Sequence, residues 1–114
     1  IPLCPHCGQE MSFNLRADDT FVEDEGWRAA ARRYRDFLNR VANKKVLFLE
    51  LGVGFNTPGI IKYPFWGMAG KNKRAMYASI NRGEAYAPSE IEERSIVIDA
   101  DIAETIDAVH SLLE

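Results

Sequence analysis

Apolar residues recur along the chain with two different spacings, and these spacings predict which segments are helices and which are strands. Between Trp27 and Val41 they recur every three or four positions, which predicts an amphipathic helix over residues 25–42. Asp24 stands where the N-cap of this helix is expected. Val46–Leu51 is instead a nearly continuous apolar run, as expected for a strand that is covered on both faces of a sheet.

The middle of the chain is predicted to alternate a helix with two further strands. Thr57 and Pro58 are suited to the N-cap and the first position of a second helix. Pro64 is expected to kink or end that helix, because proline cannot donate a backbone hydrogen bond. Residues 74–80 and 95–98 have the composition of strands and are separated by turn residues.

The last segment is predicted to be a helix that begins with Asp101 and Glu104 as a capping pair. Its apolar stripe consists of Ile102, Ile106, Val109, Leu112 and Leu113. The predicted elements therefore alternate helices with strands through most of the chain. This order favours an α/β fold with a parallel, doubly wound sheet.

Composition narrows the class of protein. The 114 residues suffice for one small domain, and 27% of them are charged, with a formal net charge of −3. This mild acidity argues against nonspecific binding to nucleic acid or to a membrane surface. We expect no signal peptide, and the sequence contains no run of about 18 apolar residues that could span a membrane. The chain opens on Ile1 without an initiator Met, and we expect it to be a piece of a longer protein.

A glycine turn after the first predicted strand is the first candidate binding site. Gly52 and Gly54 lack side chains, so the phosphates of a nucleotide could approach the backbone around Val53. The spacing is G-x-G, without the third glycine of the dinucleotide-binding fingerprint. The same residues also suit a plain tight turn between strand and helix, so both interpretations stay open.

Polar residues also follow the other two predicted strands. Asn81 comes directly after the second strand, where its amide could bind a ribose hydroxyl or could simply belong to a turn. Asp101 and Ile102 open the last helix, and helix capping alone would explain Asp101. Because open α/β sheets bind ligands at the carboxyl ends of their strands, the three positions together indicate one binding edge.

Cys4 and Cys7 are spaced to bind one tetrahedral metal ion, which makes them candidate zinc ligands. A structural zinc site needs four ligands, and His6 between the pair is poorly placed to bind the same ion. A thioredoxin-type redox pair is the alternative, although Cys4 precedes any predicted helix. Two cysteines with this spacing fit a reducing compartment, and we expect the protein to be cytoplasmic.

Taken in order, these motifs resemble those of the sirtuin family, and its macrodomain-linked branch, class M, more closely than the ordinary deacetylases. The resemblance covers essentially the whole chain, as the C-terminal part of a catalytic domain. The segments that carry it are Cys4-Pro5-His6-Cys7-Gly8, Met11 with Asn14-Leu15, Leu51-Gly52-Val53-Gly54-Phe55-Asn56-Thr57-Pro58, Ile80-Asn81 and Asp101-Ile102.

The resemblance implies an NAD-dependent enzyme that cleaves the nicotinamide–ribose bond and transfers ADP-ribose to an acyl group or to a protein side chain. It implies the end of a zinc-binding module in residues 1–22 and part of a Rossmann-like NAD-binding domain in residues 23–114. Cys4 and Cys7 would then be zinc ligands. The NAD-binding residues that it implies are Gly52, Val53, Gly54, Asn81, Asp101 and Ile102.

The chain also departs from the ordinary sirtuin pattern. Val53 and Gly54 stand where hydroxyl residues are expected, and residues 15–23 do not match the acyl-lysine-binding strand. These departures favour ADP-ribosyl transfer onto a protein substrate, the activity linked to class M. The catalytic residues of the family have no counterpart here, so we expect the isolated chain to be inactive and to associate with a missing N-terminal part or as a homodimer. The alternatives are a non-catalytic α/β module that binds a nucleotide or a protein, and a small zinc-ribbon interaction protein.

Overall fold

The computed structural model describes all 114 residues, Ile1–Glu114, and the chain divides into two compact units. The first unit is Ile1–Asp36 and the second is Phe37–Glu114. The first helix, α1 (Glu25–Val41), crosses the boundary between the units. The division into residues 1–22 and 23–114 that the sequence suggests stays a prediction.

The first unit is held together by turns and polar contacts, since none of its residues is buried. Leu3 and Glu10 form an isolated antiparallel bridge around the two cysteines. Farther along, the Asn14 side chain donates to the carbonyl of Val22 at 3.0 Å and accepts from its N–H at 2.9 Å. The Asp24 carboxylate then accepts from the N–H of Trp27 at 2.7 Å, which confirms the predicted cap of α1.

The second unit is built on a parallel sheet of three strands in the order β1-β2-β3. The strands are β1 (Val46–Leu51), β2 (Ala75–Ile80) and β3 (Ser95–Ile98), and the helices are α2 (Lys62–Lys71), a short 3₁₀ helix (Ser89–Arg94) and α3 (Ile102–Ser111). The three strands lie within a residue of where the sequence predicts them. The fold is therefore α/β, in agreement with a Rossmann-like arrangement, while the doubly wound character of the sheet stays a prediction.

The core of the second unit lies on one face of the sheet, beneath α2. It consists of Phe48, Ala69, Ala75, Tyr77 and Ile91. Leu47, Leu49 and Leu51 point to the opposite face and are 54%, 44% and 44% exposed. The prediction that β1 is covered on both faces is therefore wrong for this chain, because its side chains alternate between a covered face and an open one.

The start of α2 also differs from the prediction. The helix begins at Lys62, and residues 57–61 form bends and turns, so Thr57 is not its N-cap. Pro64 is the third residue of the helix and does not end it. The physical reason is that the first four N–H groups of a helix have no intrahelical partner, so proline removes no hydrogen bond there.

Candidate functional site

The loops that follow the three strands meet at one edge of the sheet. The strands are parallel neighbours, so their carboxyl ends lie side by side. The N–H of Gly52 donates to the carbonyl of Ile80 at 2.9 Å, and the N–H of Asn81 donates to that of Ile98 at 3.1 Å. These two hydrogen bonds continue the strand pairing into the loops. The structure thus brings together the three positions at which the sequence predicts a binding edge.

The glycine turn has the open backbone that close approach of a ligand requires. Gly52 has a φ angle of +67°, which favours glycine, and a Cβ built on it would lie 3.3 Å from Cδ1 of Ile102. Gly52 and Ile102, two of the predicted site residues, therefore lie next to each other. The turn opens into a cleft of about 330 Å³ lined by Gly52, Val53, Gly54, Asn56, Thr57, Ile60 and Ile61.

The late start of α2 changes the electrostatics expected of this cleft. A helix that began at Thr57 would place the positive end of its dipole close to the turn. In the structure residues 52–61 form a loop, and α2 begins only after it. Any anion bound at the turn would therefore be held by loop N–H groups rather than by the N-terminus of α2.

Asn81 and Asp101 have different local roles at this edge. Asn81 is half-buried and directly follows β2. Asp101 is the N-cap of α3, since its carboxylate accepts from the N–H groups of Ala103 at 2.9 Å and Glu104 at 3.3 Å. The predicted N-cap is confirmed for Asp101, whose carboxylate is engaged by its own helix, while the Glu104 side chain makes no hydrogen bond back to Asp101. Asp101 and Ile102 therefore offer a ligand mainly their backbone and the Ile102 side chain.

Glu84 is a site residue that the sequence analysis missed. A Cβ built on Gly54 would overlap the Glu84 carboxylate, so this exposed carboxylate lies directly against the glycine turn. The intervening Gly83 is held in its turn, with a φ angle of +84°, by donating its N–H to Asp99 at 2.6 Å. In the sequence, the signal for Glu84 was its position shortly after the second strand, where an acidic residue often binds a ribose in nucleotide-binding α/β folds.

A buried ion pair behind the glycine turn was also missed. Nζ of Lys62 lies 2.7 Å from Oε2 of Glu50, and both side chains are 0% exposed. The ammonium lies 5.1 Å from the ring centroid of Phe55 and 5.7 Å from that of Trp66. In the sequence, Glu50 is the single charged residue in an apolar strand, which was the signal available for it.

More polar groups are buried around this ion pair. Ser79 Oγ, Trp66 Nε1 and Glu50 Oε1 are buried without a hydrogen-bond partner in the chain. Burial raises the pKa of Tyr77 to about 12, an effect that the Glu50 charge reinforces and that Trp66 and Ser79 oppose. The Tyr77 hydroxyl donates to the carbonyl of Tyr86 at 3.3 Å. The covered face of the sheet thus carries a cluster of buried polar groups around the ion pair.

In the first unit, the two cysteines lie on one tight turn. The N–H of Gly8 donates to the carbonyl of Cys4 at 2.8 Å, and Gly8 has a φ angle of +70°. The backbone of His6, then the backbone and the thiol of Cys7, lower the pKa of the Cys4 thiol below its ordinary value. A stabilised thiolate beside a second thiol is suitable for a metal ion, but no group of three or more potential metal ligands occurs in the chain. The two cysteines alone therefore do not complete a metal site.

Taken together, the fold and this edge define an α/β protein that presents a glycine turn, an amide and the start of a helix at the carboxyl ends of its parallel strands. None of its helices combines the length and the apolar character needed to cross a membrane. No model of a known protein family matches the chain.

The chain is nevertheless similar to two curated proteins. It is 40% identical over 107 residues to a protein ADP-ribosyltransferase of Staphylococcus aureus, covering 93% of the chain and 34% of that relative. It is 32% identical over 112 residues to a probable bifunctional ADP-ribose hydrolase/ADP-ribosyltransferase of Fusarium oxysporum f. sp. cubense, covering 93% of the chain and 19% of that relative. The chain thus spans a third of the length of one relative and a fifth of the other.

Proposed function

We propose that the chain supplies the adenosine half of the NAD site of a sirtuin-type ADP-ribosyltransferase of class M. The observation that carries the proposal is the meeting of the Gly52, Asn81 and Ile102 loops at one edge of the parallel sheet. Both similar proteins are named as ADP-ribosyltransferases, and this supports the same activity. Since the chain covers only part of those proteins, the activity belongs in this proposal to a longer protein.

In this proposal NAD is the substrate that donates ADP-ribose. The N–H groups of Val53 and Gly54 bind the diphosphate or the adjacent ribose, because the absence of side chains at the turn lets the ligand approach. Asn81 binds the hydroxyls of the adenine ribose. Glu84, which lies against Gly54, accepts a hydrogen bond from a hydroxyl of the same ribose. The backbone at Asp101 and Ile102 contacts the adenine.

The reaction itself requires residues that this chain does not contribute. Nicotinamide leaves with the electron pair of the glycosidic bond. A nucleophilic side chain of the acceptor protein attacks the ribose carbon that is thereby exposed, and its proton passes to a general base or to water. Our proposal assigns to this chain the binding and orientation of the adenosine end of NAD. We therefore expect the isolated chain to show no turnover of NAD.

The proposal also includes a cytoplasmic location for the protein and a structural role for zinc. Cys4 and Cys7 would provide two of four tetrahedral ligands, with the other two supplied by a different part of the longer protein or by a second copy. The lowered pKa of the Cys4 thiol supports this role, because a metal binds the thiolate rather than the thiol. When bound, zinc would tie the turn to the rest of its module.

Titration of the chain with ADP-ribose tests the proposed function. Trp66 lies in the second unit, so a Trp27→Phe background isolates its fluorescence as the reporter. We expect saturable binding that Asn81→Ala weakens about fivefold to tenfold, the loss of one or two ribose hydrogen bonds.

The matched control for this titration is Asn43→Ala, which removes the same amide from an exposed position outside the site. It should leave the affinity unchanged. Equal binding by the two alanine variants would contradict the role of Asn81. If the chain itself bound no ADP-ribose, the adenosine-site proposal would fail, and the chain would be better described as a non-catalytic α/β module.

A further inference from the structure

The buried ion pair joins the two ends of the loop that forms the cleft. Glu50 is the fifth residue of β1 and precedes Gly52 by two positions, while Lys62 is the first residue of α2. The residues between β1 and α2, 52–61, make up the loop. The 2.7 Å contact between the Glu50 and Lys62 side chains therefore closes this loop at its base.

The same ammonium also contacts the middle of the loop. Phe55, the fourth residue of the loop, places its ring centroid 5.1 Å from Nζ of Lys62, within the range of a cation–π interaction. The Phe55 ring packs in turn on Trp66 and Tyr86, at centroid distances of 6.3 and 6.4 Å. Phe55 is 43% exposed, and the ammonium and these two rings contact its buried part.

Stability alone is a poor explanation for this arrangement. Removing two charges from water is costly, and replacement of a buried ion pair by apolar residues of similar size is often neutral or stabilising. Glu50 Oε1 is buried without a partner as well, which adds to the cost. An apolar pair would fill the same space, but it would provide no charge to orient the Phe55 ring.

We propose that Glu50 and Lys62 are positioning residues that hold the loop of residues 52–61 in its ligand-binding shape, with Lys62 acting through Phe55. The proposal deepens the function proposed above and rests on it as far as the ligand is concerned. Its structural part, the ordering of the loop, holds for the chain without any ligand and can be measured separately.

The test compares the wild-type chain with the double variant Glu50→Leu/Lys62→Met, which removes both charges and retains the buried volume. Amide hydrogen exchange is measured without ligand at Gly52 and Tyr63, whose N–H groups donate to Ile80 and Pro58 at the two ends of the loop. We expect exchange at both to become at least tenfold faster. The N–H of Asn81, bonded to the neighbouring strand, should keep its rate, and the urea midpoint from circular dichroism should not fall.

The matched control is Lys71→Met/Glu93→Leu, which removes one charge of each sign from exposed positions on α2 and the 3₁₀ helix. It should leave the exchange rates as in the wild type. Unchanged exchange at Gly52 and Tyr63 in the buried double variant would overturn the proposal. Where that variant fails to fold, Phe55→Leu takes its place, because Phe55 is partly exposed and its loss leaves the ion pair intact. We expect the same acceleration of exchange at Gly52 and Tyr63.

Binding of ADP-ribose is the second measurement. We expect the dissociation constant to rise about tenfold in the buried double variant and to stay at the wild-type value in the exposed one. If the wild type bound no ADP-ribose, the proposed function would fail, and hydrogen exchange would still decide whether the ion pair orders the loop. If the loop loosened while the affinity stayed the same, the positioning role toward the ligand would be wrong.

Discussion

The two compact units of this chain are stabilised in different ways. Residues 1–36 contain no buried side chain and rely on a bridge, turns and polar contacts. Residues 37–114 contain every buried residue, including the apolar core around Phe48 and Tyr77 and the enclosed ion pair of Glu50. The comparison teaches that the second unit can hold its candidate binding edge with its own core, whereas the first unit carries two thiols but little packing to support them.

The difference extends to where each unit places its reactive or charged groups. Cys7 of the first unit is exposed and Cys4 is partly exposed, and backbone groups together with the Cys7 thiol surround the Cys4 thiol. The second unit encloses Glu50 and Lys62 behind its glycine turn and exposes Glu84 in front of it. A ligand at the edge of the sheet would thus contact loops that pack on the core of the second unit. A metal bound to the first unit would itself have to stabilise that unit.

Truncation of phenylalanine in each unit should show the largest difference. Phe48 is 6% exposed and Phe13 is 89% exposed. We expect Phe48→Ala to lower the free energy of unfolding by about 3–5 kcal/mol, the usual cost of a cavity in a core. Phe13→Ala should change it by less than about 0.5 kcal/mol. Urea titrations followed by circular dichroism measure both, and comparable losses would show that the first unit has a core of its own.

Alkaline pH should destabilise the second unit through Tyr77. Because burial raises the pKa of Tyr77 to about 12, the folded chain keeps the phenol neutral while the unfolded chain ionises it near pH 10. The stability that this group contributes is complete below pH 10 and is lost as the pH rises from about 10 to 12. Thermal unfolding of the wild type and Tyr77→Phe across this range measures the effect. A parallel decline in both proteins would assign it to other groups.

In the first unit the pKa of the Cys4 thiol is shifted in the opposite direction from that of Tyr77, and we expect a smaller effect. The lowered pKa of Cys4 means that the folded chain has more thiolate at neutral pH than the unfolded chain has. We expect iodoacetamide to alkylate Cys4 a few times faster at pH 7 in the folded chain than in urea, as measured by mass spectrometry of the labelled peptides. Cys7→Ser should reduce the advantage, because the Cys7 thiol is one of its causes. Equal rates in the folded chain and in urea would show that the turn does not stabilise the thiolate.

Local rules account for the elements that the sequence predicts correctly. The run at Val46–Leu51 has the length of a strand, and Asp24 and Asp101 are caps whose carboxylates accept from N–H groups two or three residues away. The start of α2 was predicted wrongly for the same reason. Thr57 and Pro58 satisfy the local rule for a helix start, but residues 57–61 adopt turns, and Lys62 begins the helix where its side chain reaches Glu50.

By itself, the sequence determined the α/β class, the three strands, the N-caps of α1 and α3 and the residues that follow each strand, because these depend on neighbours close in the chain. Only the tertiary structure decided which face of β1 is open, that Glu84 lies against Gly54, and that Glu50 meets Lys62 inside the core. The Glu50–Lys62 contact joins residues 12 positions apart, and the Gly54–Glu84 contact joins residues 30 positions apart. The parallel pairing of the strands and the packing of α2 bring these residues together. Spacing along the chain therefore does not reveal them.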